Sequence, residues 1–249
     1  MMSLSFKKTG FSMLFAVSNL IKIGILLLYI LLPIIIFYLI YLVVTRAFQY
    51  MGFSSFEAFL IVVGSYILGV NWTIELFNFE ITNIFANIHL FSYQNWDIGI
   101  NTGGAIIPIA LSLYLIWKNK HSLKYLVSGI AIVSLVTFLV AHPDPNVGIV
   151  SPYPLFLLPA IAASITSVVF LRKKFSKAAP FSYISGTLGV LIGADVFHLW
   201  QLISKPVESS TTAVIGGAIV FDMVFITGIL AVIVDSILMY RQRIKEGFT

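Results

Sequence analysis

The sequence predicts an all-α, polytopic membrane protein of about seven spans, and three observations predict it. Hydrophobic residues make up 59% of the chain and charged residues 10%, against roughly 25% charged residues in a soluble domain. Apolar runs recur from end to end, separated by short polar loops. The charged residues are gathered mainly in those loops and are rare inside the runs. No polar stretch is long enough to make an appended soluble module. The organisation expected is a lead-in segment over 1–22, one transmembrane domain over 23–240 and a basic tail over 241–249. Cysteine is absent, which excludes disulfides, thiol catalysis and thiolate metal ligands. The isoelectric point near 9.3 reflects lysines and arginines placed in loops between spans, the signature of membrane orientation rather than nucleic-acid binding.

In chain order, Lys7-Lys8 precede an apolar run that continues past Lys22 with no small-residue cleavage site, so no signal peptide is read. The first span is Ile23–Val44, with Pro33 inside it. The second, Phe56–Val70, is short for a hydrocarbon core that needs about 20 residues. Glu75 to Asp97 carries Glu75, Glu80, His89 and Asp97 with no lysine or arginine, and its aromatic residues suit an element lying at headgroup level. Asn71-Trp72-Thr73 fits the glycosylation acceptor pattern, a match common by chance. The third span, Ile98–Trp117, opens on Asn101-Thr102-Gly103-Gly104 with Pro108 soon after. A distorted start, or close packing through small residues, both account for that motif.

The fourth span, Tyr125–Ala141, ends at His142-Pro143-Asp144-Pro145, where the prolines rule out helix. The fifth is Pro154–Leu171. The last two, Tyr183–Ile203 and Ala213–Tyr240, form a terminal hairpin. With seven spans and a cytoplasmic C-terminus, 11 of the 15 basic residues lie inside. The three lysines at positions 7, 8 and 22 go against this, so six to eight spans stay open.

The terminal hairpin draws attention because each arm carries an aspartate within its apolar run, Asp195 in one and Asp222 in the other. Acids inside membrane segments are costly and usually functional. A helical rise of 1.5 Å per residue puts Asp195 about 18 Å from the inner end of its span and Asp222 about 13–14 Å from the outer end of its own. The two acids then share nearly one depth. Gly186, Gly189 and Gly193 fall on one stripe, with Asp195 almost opposite and His198 one turn beyond. Two adjacent carboxylates sharing a proton can activate water for peptide hydrolysis. One desolvated carboxylate can instead carry a proton in a transporter. A purely structural acid, as in an accessory subunit, hydrogen-bonds to a neighbouring helix. All three readings remain open on the residues alone.

Asp235, close to the basic tail, reads as an interfacial anchor, and Asp144 between prolines as a turn residue. Asp195, His198, His142 and Asp144 show no ligand spacing, so no metal is expected. No phosphate loop, nucleophile elbow or dinucleotide fingerprint occurs, and no cofactor is expected. The partners expected are the lipid bilayer and a membrane-embedded peptide or small solute.

The run Gly186-Thr-Leu-Gly189-Val-Leu-Ile-Gly193-Ala-Asp195, with Gly216-Gly217-Ala218 leading to Phe221-Asp222 and then Thr227-Gly-Ile-Leu-Ala231, resembles the family known as domain of unknown function 1614. Asn101 with Gly103-Gly104 adds to it. These are multi-pass membrane proteins of archaea and bacteria, which implies a prokaryotic plasma membrane. The resemblance covers roughly residues 45 to 236. It points to Asp195 and Asp222 as the site, with Asn101, Gly103, Gly104, Gly186, Gly189, Gly193, His198, Gly216 and Gly217 in support, and it brings no assigned reaction. Ile219 and Met223 stand where smaller residues are expected. Ile192-Gly193-Ala194-Asp195 and Pro159-Ala160-Ile161 are also faintly similar to motifs of presenilin-type and prepilin-type intramembrane aspartyl proteases, without the paired glycines and with the order of the acids reversed.

Overall fold

The computed structural model describes residues 2–76, 79–144, 148–217 and 223–248, with the backbone alone at 2–21, 23, 75, 76 and 79. The chain divides into two compact units, Met1–Val44 and Thr45–Thr249. The first consists of helix α1 (Met2–Tyr50) as far as the boundary, with Pro33 inside it. Its large side chains from Ile25 to Leu39 are exposed on all sides. Apolar residues around the whole circumference suit a helix surrounded by hydrocarbon rather than one amphipathic against water.

The second unit begins with the last turn of α1, where Phe48 is fully buried against Tyr183 and Phe225. Helix α2 (Ser55–Gly69) starts on a capping box, in which Ser54 accepts from the Glu57 N–H and Glu57 accepts from the Ser54 N–H. Two orphan donors of the first turn are satisfied this way. Strands β1 (Thr73–Leu76) and β2 (Phe79–Thr82) pair antiparallel. Strands β3 (Asn87–Tyr93) and β4 (Trp96–Asn101) follow as a second antiparallel pair, turning at Gln94 with φ 52°. A π-helical turn at Thr102–Ile106 leads into α3 (Ile107–Asn119), which closes on Lys120 in the left-handed conformation.

Helix α4 (Leu123–Val140), the small pair β5 (His142–Asp144) and β6 (Gly148–Val150), and α5 (Leu158–Leu171) come next. Helix α6 (Phe175–Val190) runs without a break through a second π-helical turn, Leu191–Val196, into α7 (Phe197–Ile203). Strand β7 (Thr211–Ile215), helix α8 (Met223–Leu238) and the short α9 (Tyr240–Lys245) complete the chain. β7 joins β3 and β4 in a three-stranded sheet of order β3-β4-β7, antiparallel at the first junction and parallel at the second.

Helices α4, α5, α6 and α8 pack together around α6. Small residues set the spacing. A Cβ at Gly189 would lie 2.5 Å from Val133, and one at Gly193 would lie 2.3 Å from the Ser134 carbonyl oxygen, both on α4. A Cβ at Gly228 would meet Thr187 Oγ1 at 2.4 Å. Close backbone approach of this kind is how helices associate where the surroundings are as apolar as they are.

Three helical segments among the described residues are long and apolar enough to cross a bilayer: Gly24–Tyr50, Leu123–Val140 and Phe175–Ile203. Ser55–Gly69, Leu155–Leu171 and Met223–Leu238 are apolar but shorter. The chain is mostly helical, as expected, but it is not all-α: seven short strands accompany the helices among the described residues. The third expected span begins as β4 and becomes α-helical only at Ile107; the seventh begins as β7 and is α-helical from Met223. Trp96–Asn101 and Thr211–Ile215 are rich in β-branched and aromatic residues, and pairing with each other satisfies their backbone as strands. The depths calculated from a helical rise therefore do not apply to the second arm, since a strand advances about 3.3 Å per residue.

Candidate functional site

Three irregular stretches of backbone meet in the second unit: the π turn after β4, the π turn after α6 and the glycine turn after β7. The first is built on Asn101, a fully buried side chain at the N-terminal cap of Thr102–Ile106. Its Oδ1 accepts from the Gly104 N–H at 2.7 Å, and its Nδ2 donates to the Gly69 carbonyl at 2.8 Å and to Asn87 Oδ1 at 2.9 Å. One amide thereby ties the end of α2, strand β3 and the π turn together. The glycines make room for this. A Cβ at Gly103 would fall 2.2 Å from the Ser65 carbonyl oxygen, and one at Gly104 would fall 2.0 Å from the Gly216 carbonyl oxygen.

Gly216 is the counterpart across the sheet. Its φ of +80° favours glycine, and an added Cβ would sit 2.5 Å from the Ala105 Cβ. Its N–H donates to Asp195 Oδ2 at 2.9 Å. The direction of that bond follows from the ladder. The Thr211 N–H donates to the Asn95 carbonyl, so in the parallel pairing Thr211, Ala213 and Ile215 address β4. Thr212, Val214 and then Gly216 turn their backbone groups the other way, since a strand alternates its hydrogen-bonding sides. Asp195 therefore occupies the outer edge of the strand line, at the place where a further strand would pair with Gly216. Its own backbone lies in the π turn Leu191–Val196, and its side chain is buried. π turns inside α-helices are frequent at functional sites.

The structure thus brings Asn101, Gly103, Gly104, Gly216 and Asp195 into one junction. Gly189 and Gly193 face α4, whereas Gly186 faces Ala163, Thr227 and Gly228 of α5 and α8. The three glycines are therefore divided between different neighbours. Rotation at 100° per residue does not carry through to Asp195, because the π turn intervenes. His198 is buried, stacked on Phe138 at 4.6 Å, and its ring nitrogens pair with Gln201 Oε1 at 2.9 Å and the Phe138 carbonyl at 3.1 Å. Gly217 follows the turn with φ +66° and donates to the Val214 carbonyl. Asp222, Phe221 and Ala218 lie outside the described residues. Among the described residues no group of three His, Cys, Asp or Glu side chains could hold a metal ion.

A family model described as "Protein of unknown function (DUF1614)" matches residues 67–234, which contain α3 to α7, all of the junction and most of α8. The chain belongs to this family. No curated protein and no solved structure matches it. The family match starts within α2 and ends one residue before Asp235.

Asp235 is the residue the sequence reading misplaced. It is fully buried rather than interfacial, and its Oδ2 lies 2.6 Å from Ser167 Oγ. Ser164 on the same face of α5 donates to the Ala231 carbonyl of α8 at 2.8 Å. Ser182, Tyr183, Ser185 and Thr187 of α6 are buried in the same helical core. The available signal was the spacing of Ser164 and Ser167, three residues apart on one side of α5, which marks a polar face in an otherwise apolar helix.

Proposed function

We propose that this member of DUF1614 is a multi-pass protein of a prokaryotic plasma membrane and an intramembrane aspartyl-type hydrolase, with Asp195 and Asp222 as its acids. The observation that supports the reading is the hydrogen bond from the Gly216 N–H to Asp195. It anchors the chain at the first acid only six residues before the second, and it sets a carboxylate beyond β7, whose outer edge pairs with no strand among the described residues. An extended peptide laid against Thr212 and the Val214 N–H would lead toward Asp195, in the manner of a strand added to a sheet edge. In such a site the two carboxyls share one proton, and the ionised member takes a proton from water as that water attacks the carbonyl.

A second reading, a proton- or ion-coupled carrier using Asp195, is favoured by the two π turns, because irregular backbone at membrane depth commonly lines a solute site.

The test exploits the absence of cysteine. Asp195→Cys with Asp222→Cys is expected to cross-link in native membranes, by oxidation or with a short bifunctional thiol reagent, since a disulfide needs Cα atoms within about 7 Å. Purified wild type is expected to cleave single-span peptides in detergent, and Asp195→Asn and Asp222→Asn each to abolish cleavage while unfolding normally. No cross-link with either reagent, or cleavage that survives both replacements, overturns the hydrolase. Proton uptake by wild-type proteoliposomes that Asp195→Asn alone removes would establish the carrier instead.

A further inference from the structure

Asp235 has no place in either reading of the Asp195 junction. It stands on α8 against α5 and α6, with none of its surface exposed. Ala178 is 17 positions before Asp195 on one continuous helical run, about 25 Å at the helical rise.

The hydrogen inventory around it is specific. Ser167 Oγ lies 2.6 Å from Asp235 Oδ2 and 3.0 Å from the Ala178 carbonyl oxygen. A serine hydroxyl has one proton to give, and a backbone carbonyl can only accept. With an ionised Asp235, that single proton would have to serve two acceptors. The carboxylate would hold at most half of one hydrogen bond from Ser167; its other oxygen, Oδ1, makes no hydrogen bond, because the neighbouring Ser182 hydroxyl gives its proton to the Ala179 carbonyl at 3.0 Å. With the proton on Oδ2 every contact is made once: Asp235 donates to Ser167, and Ser167 donates to Ala178. Oδ1 is then a neutral carbonyl oxygen, far cheaper to leave bare than half of a buried charge.

No cation compensates an ionised form. The charged groups on the elements packed nearby are Arg172 at the end of α5, Lys177 on α6, and Arg241, Arg243 and Lys245 on α9, with Glu246 just beyond. None forms an ion pair with Asp235; among the described residues the ion pair found is His89–Asp97. Arg243 donates to the Tyr50 hydroxyl, and Glu246 accepts from the Phe175 and Ser176 N–H groups.

We propose that Asp235 is a proton-binding site, separate from Asp195, in which a neutral carboxylic acid donates to Ser167 and Ser167 donates to the Ala178 carbonyl. The relay ties α8 to α5 and α6. Removing the proton reverses the Asp235–Ser167 bond, takes the donor from Ala178 and leaves a bare charge among three apolar helices. The site therefore couples the protonation of one buried acid to the seating of α8, the helix that carries the chain on from Asp222.

The test is infrared difference spectroscopy of the full-length protein in nanodiscs at neutral pH, with thermal unfolding alongside. Wild type minus Asp235→Asn is expected to show the carbonyl band of a protonated carboxylic acid, shifted on exchange into deuterated water. Ser167→Ala is expected to move that band, because its acceptor is gone. Asp235→Asn, whose amide can donate to Ser167 as the acid does, is expected to keep the unfolding midpoint, while Asp235→Ala lowers it by about 5 °C. Absence of the band from the difference spectrum overturns the proposal, as does a loss with Asp235→Asn equal to that with Asp235→Ala. A sodium-dependent rise in the midpoint that Asp235→Asn removes also overturns it, by assigning the carboxylate to a monovalent cation.

Discussion

The two buried acids of the second unit sit in opposite kinds of surroundings. Around Asp195 the backbone is irregular, with two π turns and a left-handed glycine, and the carboxylate is met by a main-chain N–H. Around Asp235 the backbone is plain α-helix, and the carboxyl is met by a side-chain hydroxyl. A main-chain N–H can only donate, whereas a hydroxyl can donate or accept and so can take the proton of a neutral acid and pass its own to a third group. The first site offers its carboxyl a donor held in place by the main chain, while the second offers a hydroxyl whose role follows the proton on the acid.

The contrast can be broken most severely at the junction. Gly104→Val, like Gly104→Ala to a lesser degree, brings a Cβ well inside contact distance of the Gly216 carbonyl oxygen, which a backbone neighbour cannot yield cheaply. A loss of about 3 kcal/mol or more is expected, read as collapse of the thermal midpoint in detergent. If Gly104→Ala is neutral, the close meeting of the two glycine turns is wrong. Asn101→Ala should come next, at about 2–3 kcal/mol, because it strands the Gly104 N–H and the Gly69 carbonyl in a buried place. Asn101→Asp is expected to restore only the Gly104 bond, and so to recover part of the loss.

Regions away from both acids should respond less, and that sharpens the comparison. Partial burial pushes the Glu246 carboxyl up, but the Ser176 hydroxyl and N–H, the Phe175 N–H and the Lys174 charge outweigh it and hold it below its usual value. A lowered carboxylate contributes stability above its unfolded pKa of about 4.5 and loses it as pH falls through the lower folded value. Glu246→Gln is expected to cost about 1 kcal/mol at neutral pH, as loss of a helix N-terminal cap does, and to flatten stability on the acid side. At neutral pH His121, in the loop between α3 and α4, should give the smallest effect. Burial, and then the Lys177 charge, push its pKa down to about 4 from 6.5. The neutral ring is therefore the folded form, its contribution is complete above pH 6.5, and it fades as pH falls toward 4. Imidazole resonances that titrate near 6.5 in the folded protein would refute this.

Much of the junction was legible because glycine and asparagine inside an apolar run are informative. Asn101, Gly103, Gly104 and Gly216 stand out from their surroundings, and the structure gathers them beside Asp195. Their neighbours were not legible. Trp96–Asn101 and Thr211–Ile215 continue directly into apolar helix, and a short apolar run cannot be assigned to strand or helix by periodicity alone. Only pairing across the chain reveals them as strands. Asp235 was misread for a related reason. Its closeness to the basic tail suggested the interface, whereas the decisive partners, Ser167 and Ala178, are residues common in any apolar helix and become visible only once α5 and α6 are packed beside α8.

The parallel pairing of Trp96 with Thr211 has a consequence for how the protein is made. A ribosome delivers the chain from its N-terminus, and β4 must wait through helices α3 to α7 before its partner emerges. Contacts between such distant parts of a sequence form late, after the intervening loop has been closed. The junction at Asp195 is thus assembled only after β7 has emerged, and a nascent chain that reaches no further than α7 still lacks Gly216 beside the acid. Any chemistry of Asp195 that depends on that contact stays off until β7 has paired with β4.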